Sequence, residues 1–197
     1  MIKTFLIFSA VLFFFFTNNT SAQQINSNTN IDTSTLGQIR LLFYQSVEDE
    51  DKLTQLEQYI QNQFVNNSKS YSPIILAYLG GIEALKGKHA FNPFTKLNHV
   101  VSALDILERA VEKDLHNLEI RFIRFSILHH LPAILGYGKE READIKEICY
   151  LLAKKDYASY DLTLQKNVIR FMIESERLSD SQLLQLKKLA VSLANNE

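Results

Sequence analysis

Residues 85–124, LKGKHAFNPFTKLNHVVSALDILERAVEKDLHNLEIRFIR, decide the fold class. Asn92-Pro93 is a helix start, a capping side chain followed by proline at the first helical position, where no backbone donor is lost. Phe94, Leu97, Val101, Leu104, Leu107 and Val111 then recur at helical period, opposite Asn98, Ser102, Asp105, Arg109 and Glu112. The pattern predicts a long amphipathic helix whose apolar stripe faces a core. A polar turn over 112–117 follows, with Asn117 placed to cap the next helix and Glu119 suited to the positive end of its dipole. From Leu118 apolar residues occur nearly all round (Ile120, Phe122, Ile123, Phe125, Ile127, Leu128), which predicts a central helix interrupted only by Arg121 and Arg124.

Working outward, the same period recurs in both directions. Leu36, Ile39, Leu42 and Phe43 mark one helix, and after the acidic run 48–51 Leu53, Leu56, Ile60 and Phe64 mark a second. A loop over 66–70 contains an Asn-x-Ser sequon, and Ser72-Pro73 opens a third helix with a capping hydroxyl and proline at N1. In that helix Ala77, Gly80, Gly81 and Ala84 fall at spacings of three and four. Interior glycines cost about 1 kcal/mol each, so a neighbouring helix is expected to approach the backbone there. Beyond the central helix, Pro132 breaks the pattern and Gly136-Tyr137-Gly138 supplies left-handed conformations for a turn. Three further helical series complete the chain: Ile145, Ile148 and Leu152; Leu164, Val168 and Met172; and Leu183, Leu186, Ala190 and Leu193 after a Ser179 cap. The expectation is an all-α fold, an antiparallel helix-hairpin array of about eight helices, arranged as a right-handed solenoid or an irregular bundle.

Composition agrees with that class. Six Gly and three Pro in 197 residues are few for a sheet-rich fold, whose hairpins need turn residues at short intervals. The 21 Lys and Arg against 22 Asp and Glu leave no global field for nucleic acid or an anionic membrane. Cys149 is the single cysteine, which excludes an intramolecular disulfide and a Cys-based zinc cluster. Its neighbours Ile148, Leu151 and Leu152 place it as a small buried hydrophobe.

The N-terminus carries an address. Lys3, the apolar run 5–16 and the small residues Thr20-Ser21-Ala22 compose an export signal over 1–22, cleaved near Ala22, and the run is shorter than a membrane-spanning helix. Residues 23–34 are too polar to bury surface and are expected to form a flexible leader, with one helical domain over 35–197. The protein is thus expected to be periplasmic or secreted, without a transmembrane span after cleavage.

The helix pairs prompt a test of the 34-residue tetratricopeptide period. With Leu115 in place of the closing proline, Ala110 and Ala103 take the two small positions and Leu107 the large one, while the Leu79-Gly80 pair arrives about eleven residues early. The simplest account is a hairpin with an inserted loop over 86–96. The K-x-K-H-x-x-N-P-x-x-K segment, the A-V-E-K-D junction, the N-x-E-I-R-F-x-R-F run and PAILGY over 132–137 resemble a family of small exported all-helical proteins without an assigned activity. The resemblance covers roughly 75–156, departs from the family's Asp-Pro junction at Asp114-Leu115, and implies architecture and export rather than chemistry.

Two places could hold a ligand. Lys86, Lys88, His89 and Lys96 surround the Asn92-Pro93 helix start, and free backbone donors beside cations suit a carboxylate or phosphate. The alternative is a solvated loop pinned to the core by Phe91 and Phe94. Arg121 and Arg124 lie about one turn apart on an apolar helix and each needs an acceptor, for which Glu83, Asp105 and Glu119 are the candidates within the chain. The five histidines form no pair at chelating helical spacing, and there is no phosphate loop or nucleophile elbow, so no metal, cofactor or catalytic residue is expected. The sequence points to a non-catalytic adaptor for a peptide, protein or cell-envelope partner, with a small-anion receptor or enzyme built on the cationic residues as the alternative.

Overall fold

A computed structural model of the chain describes residues 31–64, 71–155 and 161–194. The expected export signal, most of the expected leader and the sequon loop lie outside them. Among the described residues there are eight α-helices and no strand: α1 (Thr33–Gln45), α2 (Glu50–Gln63), α3 (Pro73–His89), α4 (Pro93–Lys113), α5 (Leu118–His130), α6 (Gly138–Ala153), α7 (Leu162–Glu174) and α8 (Asp180–Ala194). The fold is all-α, and α1 begins two residues before the expected folded boundary. None of these helices is long and apolar enough to cross a membrane.

Local chemistry sets the boundaries. The Asp49 carboxylate accepts from the amides of Asp51 and Lys52 at the start of α2, and Asp161 does the same for Thr163 and Leu164 in α7. Asn92 accepts from Phe94 N at 2.8 Å, and Asn117 from Glu119 N at 3.1 Å and Ile120 N at 3.2 Å. At α8, Ser179 Oγ accepts from Gln182 N while Gln182 Oε1 accepts from Ser179 N, a reciprocal capping box. Ser72 departs from expectation: its hydroxyl makes no capping bond, and Pro73 at N1 opens α3 by itself. Gly136, with φ of 84°, ends a short 3-10 turn over Ala133–Leu135, whereas Gly138 is already the first residue of α6.

The described chain gathers into two compact units, with the division falling inside α5 between Arg124 and Phe125. In the first, Ile39, Leu56, Ile60, Ile75, Ile82, Leu107 and Ile120 are fully or almost fully buried. In the second, Phe125, Leu128, Ile148, Leu152, Val168 and Met172 form the interior, and the rings of Phe125 and Phe171 meet edge to face at 6.0 Å. Cys149 is buried there, and burial pushes its thiol up to about 11, so it packs as a hydrophobe.

The α3–α4 pair positions everything of functional interest in the first unit. A Cβ added at Gly80 would lie 2.7 Å from Leu107 Cγ and 3.1 Å from Ala103 O, and one at Gly87 would lie 3.1 Å from His99 Cβ. As numbers rise along α3 their partners fall along α4, so the pair is antiparallel and in close backbone approach. A Cβ at Gly81 would meet the Phe43 ring of α1 at 2.6 Å. The small residues of α3 thus serve packing on two sides.

This approach corrects two expectations. The basic segment 86–96 is not an inserted loop: α3 runs on to His89, and only 90–92 separate it from α4. Lys86 and Lys88 in the last turn of α3 suit the negative end of its dipole, and Gly87 lets α4 close against that turn. The apolar stripe of α4 is buried only in part. Leu104, Leu107 and Val111 are buried with Ala103 and Ala110, but Phe94, Leu97 and Val101 are exposed, and so is Phe91. Close contact selects the alanine-bearing face, because only small residues fit against the α3 backbone.

Gly80→Ala is expected to lower stability by about 1–3 kcal/mol through overpacking. Gly37→Ala, in α1 with nothing within 4 Å of the added carbon, should raise it by about 0.4–1 kcal/mol. Urea denaturation of both variants checks the opposite signs.

Candidate functional site

Each basic residue singled out in the sequence has a structural acceptor. Lys86 Nζ reaches Glu57 of α2 at 2.8 Å and Glu83 at 3.8 Å; Lys88 Nζ donates to Val47 O and pairs with Glu48 at 2.8 Å. His89 Nε2 lies 3.1 Å from Ser46 O, and Lys96 Nζ donates to Lys88 O at 2.9 Å. Asn92 is occupied as the α4 cap. On α5, Arg124 is buried and paired with Glu108 of α4, while Arg121 Nε donates to Leu115 O at 3.0 Å. Each of these basic residues therefore has at least one acceptor within the chain. Glu108, an acid not among the sequence candidates, pairs with Arg124; Glu83 accepts from His99 Nδ1 at 2.7 Å, and Asp105 is exposed.

Glu119 belongs to a cluster that sequence reasoning missed. Its carboxylate accepts from Arg40 Nε at 2.7 Å, Arg40 NH2 at 2.6 Å and the Tyr78 hydroxyl at 2.5 Å, joining α5 to α1 and α3. Burial alone disfavours the Arg40 cation, but Glu119 beside it more than offsets this and its pKa is raised. Burial, then the Glu119 charge, holds the Tyr78 phenol well above its ordinary range. The contact partners come from residues 79 and 41 positions away, so no local spacing announces them. With both carboxylate oxygens engaged, the cluster is a buried brace.

In the second unit the carbonyl end of α5 is held by cations: Arg141 NH1 donates to Leu128 O at 3.5 Å and Arg177 NH2 to His129 O at 3.2 Å. The His129 ring packs near Phe125 and Phe171 and 4.6 Å from the His130 ring, and its Nδ1 is buried without a hydrogen-bond partner. Burial, then Arg177 and Arg141, push its pKa below the ordinary 6.5. Among the described residues no three His, Cys, Asp or Glu side chains gather as a metal set.

The first unit also exposes large apolar side chains at and just before α4. Phe91 is 100% exposed, Phe94 77%, Val101 51% and Leu97 44%. Phe94, Leu97 and Val101 lie along one face of the N-terminal half of α4, Phe91 stands just before the helix, and Thr95, Asn98 and Ser102 in the same half are also exposed. Single exposed apolar residues are ordinary; three on one helix face, with a fully exposed phenylalanine just before it, are less so. Compared with protein-family models, curated proteins and solved structures, the chain matches none. The stripe is accordingly the candidate site on geometry alone.

Glu119→Ala should cost about 3–5 kcal/mol by leaving Arg40 without its partner in a largely buried position. Tyr78→Phe should cost less, about 1.5–3 kcal/mol, the range for a hydrogen bond to a charged group. Denaturant melts rank the two. For His129 the folded pKa lies below the unfolded one, so its contribution to stability is present above pH 6.5 and is lost as pH falls from there toward the folded pKa. Thermal melts between pH 7.5 and 5.5 should show this loss, and His129→Phe should reduce the pH dependence.

Proposed function

We propose that the protein is an exported, non-catalytic helical adaptor whose docking surface for a protein or peptide partner is the Phe91, Phe94, Leu97 and Val101 stripe. The observation that carries the reading is the exposure of Phe94, Leu97 and Val101 on a helix whose other apolar face is buried, with Phe91 fully exposed just before it. A stripe at i, i+3 and i+7 is the spacing that seats an amphipathic partner helix. Supporting it, the cations that could have formed an anion pocket are tied to acceptors within the chain. The export half rests on the 1–22 pattern, and places the protein in the periplasm or outside the cell. The helix-hairpin array is read as tetratricopeptide-like, in the manner of the small exported helical proteins that its motifs resemble, and such arrays bind partners without a cofactor.

A photo-crosslinking residue at Leu97, in the chain expressed in its host, tests the docking. The expected result is a protein adduct in the envelope or secreted fraction that falls at least tenfold when Phe91→Ser and Phe94→Ser are added. An adduct indifferent to these changes, or none, overturns the docking surface. N-terminal sequencing should begin near Gln23, and an unprocessed cytoplasmic chain overturns export.

A further inference from the structure

We infer that, in the absence of a partner, the stripe on α4 is covered by a second copy of this chain in an antiparallel, two-fold arrangement centred beside Leu97 and Asn98. The inference rests on the reading of this stripe as a docking surface and names its resting occupant. Three features of the face select a second copy.

The first is charge. A two-fold interface sets one patch against itself, so any charge near the axis confronts its own image. The stripe carries none: its exposed flanks are Thr95, Asn98 and Ser102, side chains that can donate and accept to their own copies. No Asp or Glu occurs between Glu83 and Asp105, and Lys96, the one cation in this half of α4, is turned to Lys88 O.

The second is direction. Asp105 continues the exposed face toward the C-terminal end of α4. With the axis beside Leu97 and Asn98 it stands about 11 Å along the helix at 1.5 Å per residue. In the antiparallel arrangement this is level with the start of α4 in the second copy, whose positive dipole end favours a carboxylate. The two Asp105 groups are then about 20 Å apart, beyond the Debye length of about 8 Å at physiological salt, and do not repel appreciably. A parallel pair would bring them together.

The third is area. With about 200 Å² for a whole phenylalanine and less for Leu and Val, the observed exposures amount to roughly 500 Å² of apolar surface per copy. A pair removes roughly 1,000 Å² and the polar flanks add more, which meets the lower bound for a specific interface and fits a weak, displaceable dimer. An external partner then competes with the second copy for the same side chains.

Sedimentation equilibrium of the full chain, purified from its host with the N-terminus the cell gives it, tests the inference. The expected result is a monomer–dimer equilibrium at micromolar concentration. Phe94→Ser should weaken it at least tenfold with unchanged helical circular dichroism, and Asp105→Lys should weaken it severalfold. Asn98→Cys should give a two-copy product with a short bismaleimide, and adding Phe94→Ser should remove that product. A chain that is monomeric at several hundred micromolar, or a dimer indifferent to Phe94→Ser, overturns the inference. Crosslinking at Leu97 that captures another protein from a monomeric chain would leave the adaptor reading standing and remove only the second copy.

Discussion

The structure of the first unit depends on how closely α3 and α4 approach. At Gly80 there is no room for a side chain, since even a Cβ would stand 2.7 Å from Leu107. An interface this tight accepts alanine and the flank of a leucine and rejects phenylalanine. Ala103 and Ala110 are therefore turned inward with Leu107, and the larger residues at 94, 97 and 101 are carried onto the outer face. The exposed stripe is thus a consequence of the glycine seam, and the energy gained by close packing on one side of α4 is coupled to apolar exposure on the other.

Charge is handled with the opposite logic. Glu119 is almost buried yet satisfied three times over, by two nitrogens of Arg40 and the hydroxyl of Tyr78. A buried carboxylate is tolerable only with such complete pairing. The brace links α1 and α3 to the first turn of α5, where the helix dipole also favours the acid. Around it, Lys86, Lys88, Lys96 and Arg124 are each bound to an acceptor of the same unit. In three dimensions these basic residues tie α3 to α2 and to the α1–α2 turn, α4 to α3, and α5 to α4.

How much of this was legible in the sequence varies with the range of the interaction. Helix starts at Asn92-Pro93, Asn117 and Ser179 could be read because a cap and the amides it satisfies lie within three residues. The packing role of Gly80 and Gly81 was also legible, since interior helical glycines need compensation. The end of α3 was misplaced: a Lys- and His-rich segment before Asn-Pro looks like a loop, and its helicity comes from contacts with 46–48 and Glu57. Arg40 carried no signal at all, and its partner lies 79 residues away.

The sequence by itself determined an all-α chain, the approximate places of its helices and the absence of an intramolecular disulfide, because these follow from local period, capping and residue counts. Only the tertiary structure decided which apolar face of α4 is buried, that Glu108 pairs with Arg124, and that the conspicuous lysines have acceptors within the chain. The reason is that a helical period shows where apolar residues lie on a cylinder but not which neighbour approaches it. In α4 the neighbour is a glycine seam, so the alanine face was taken and Phe94, Leu97 and Val101 were left outside.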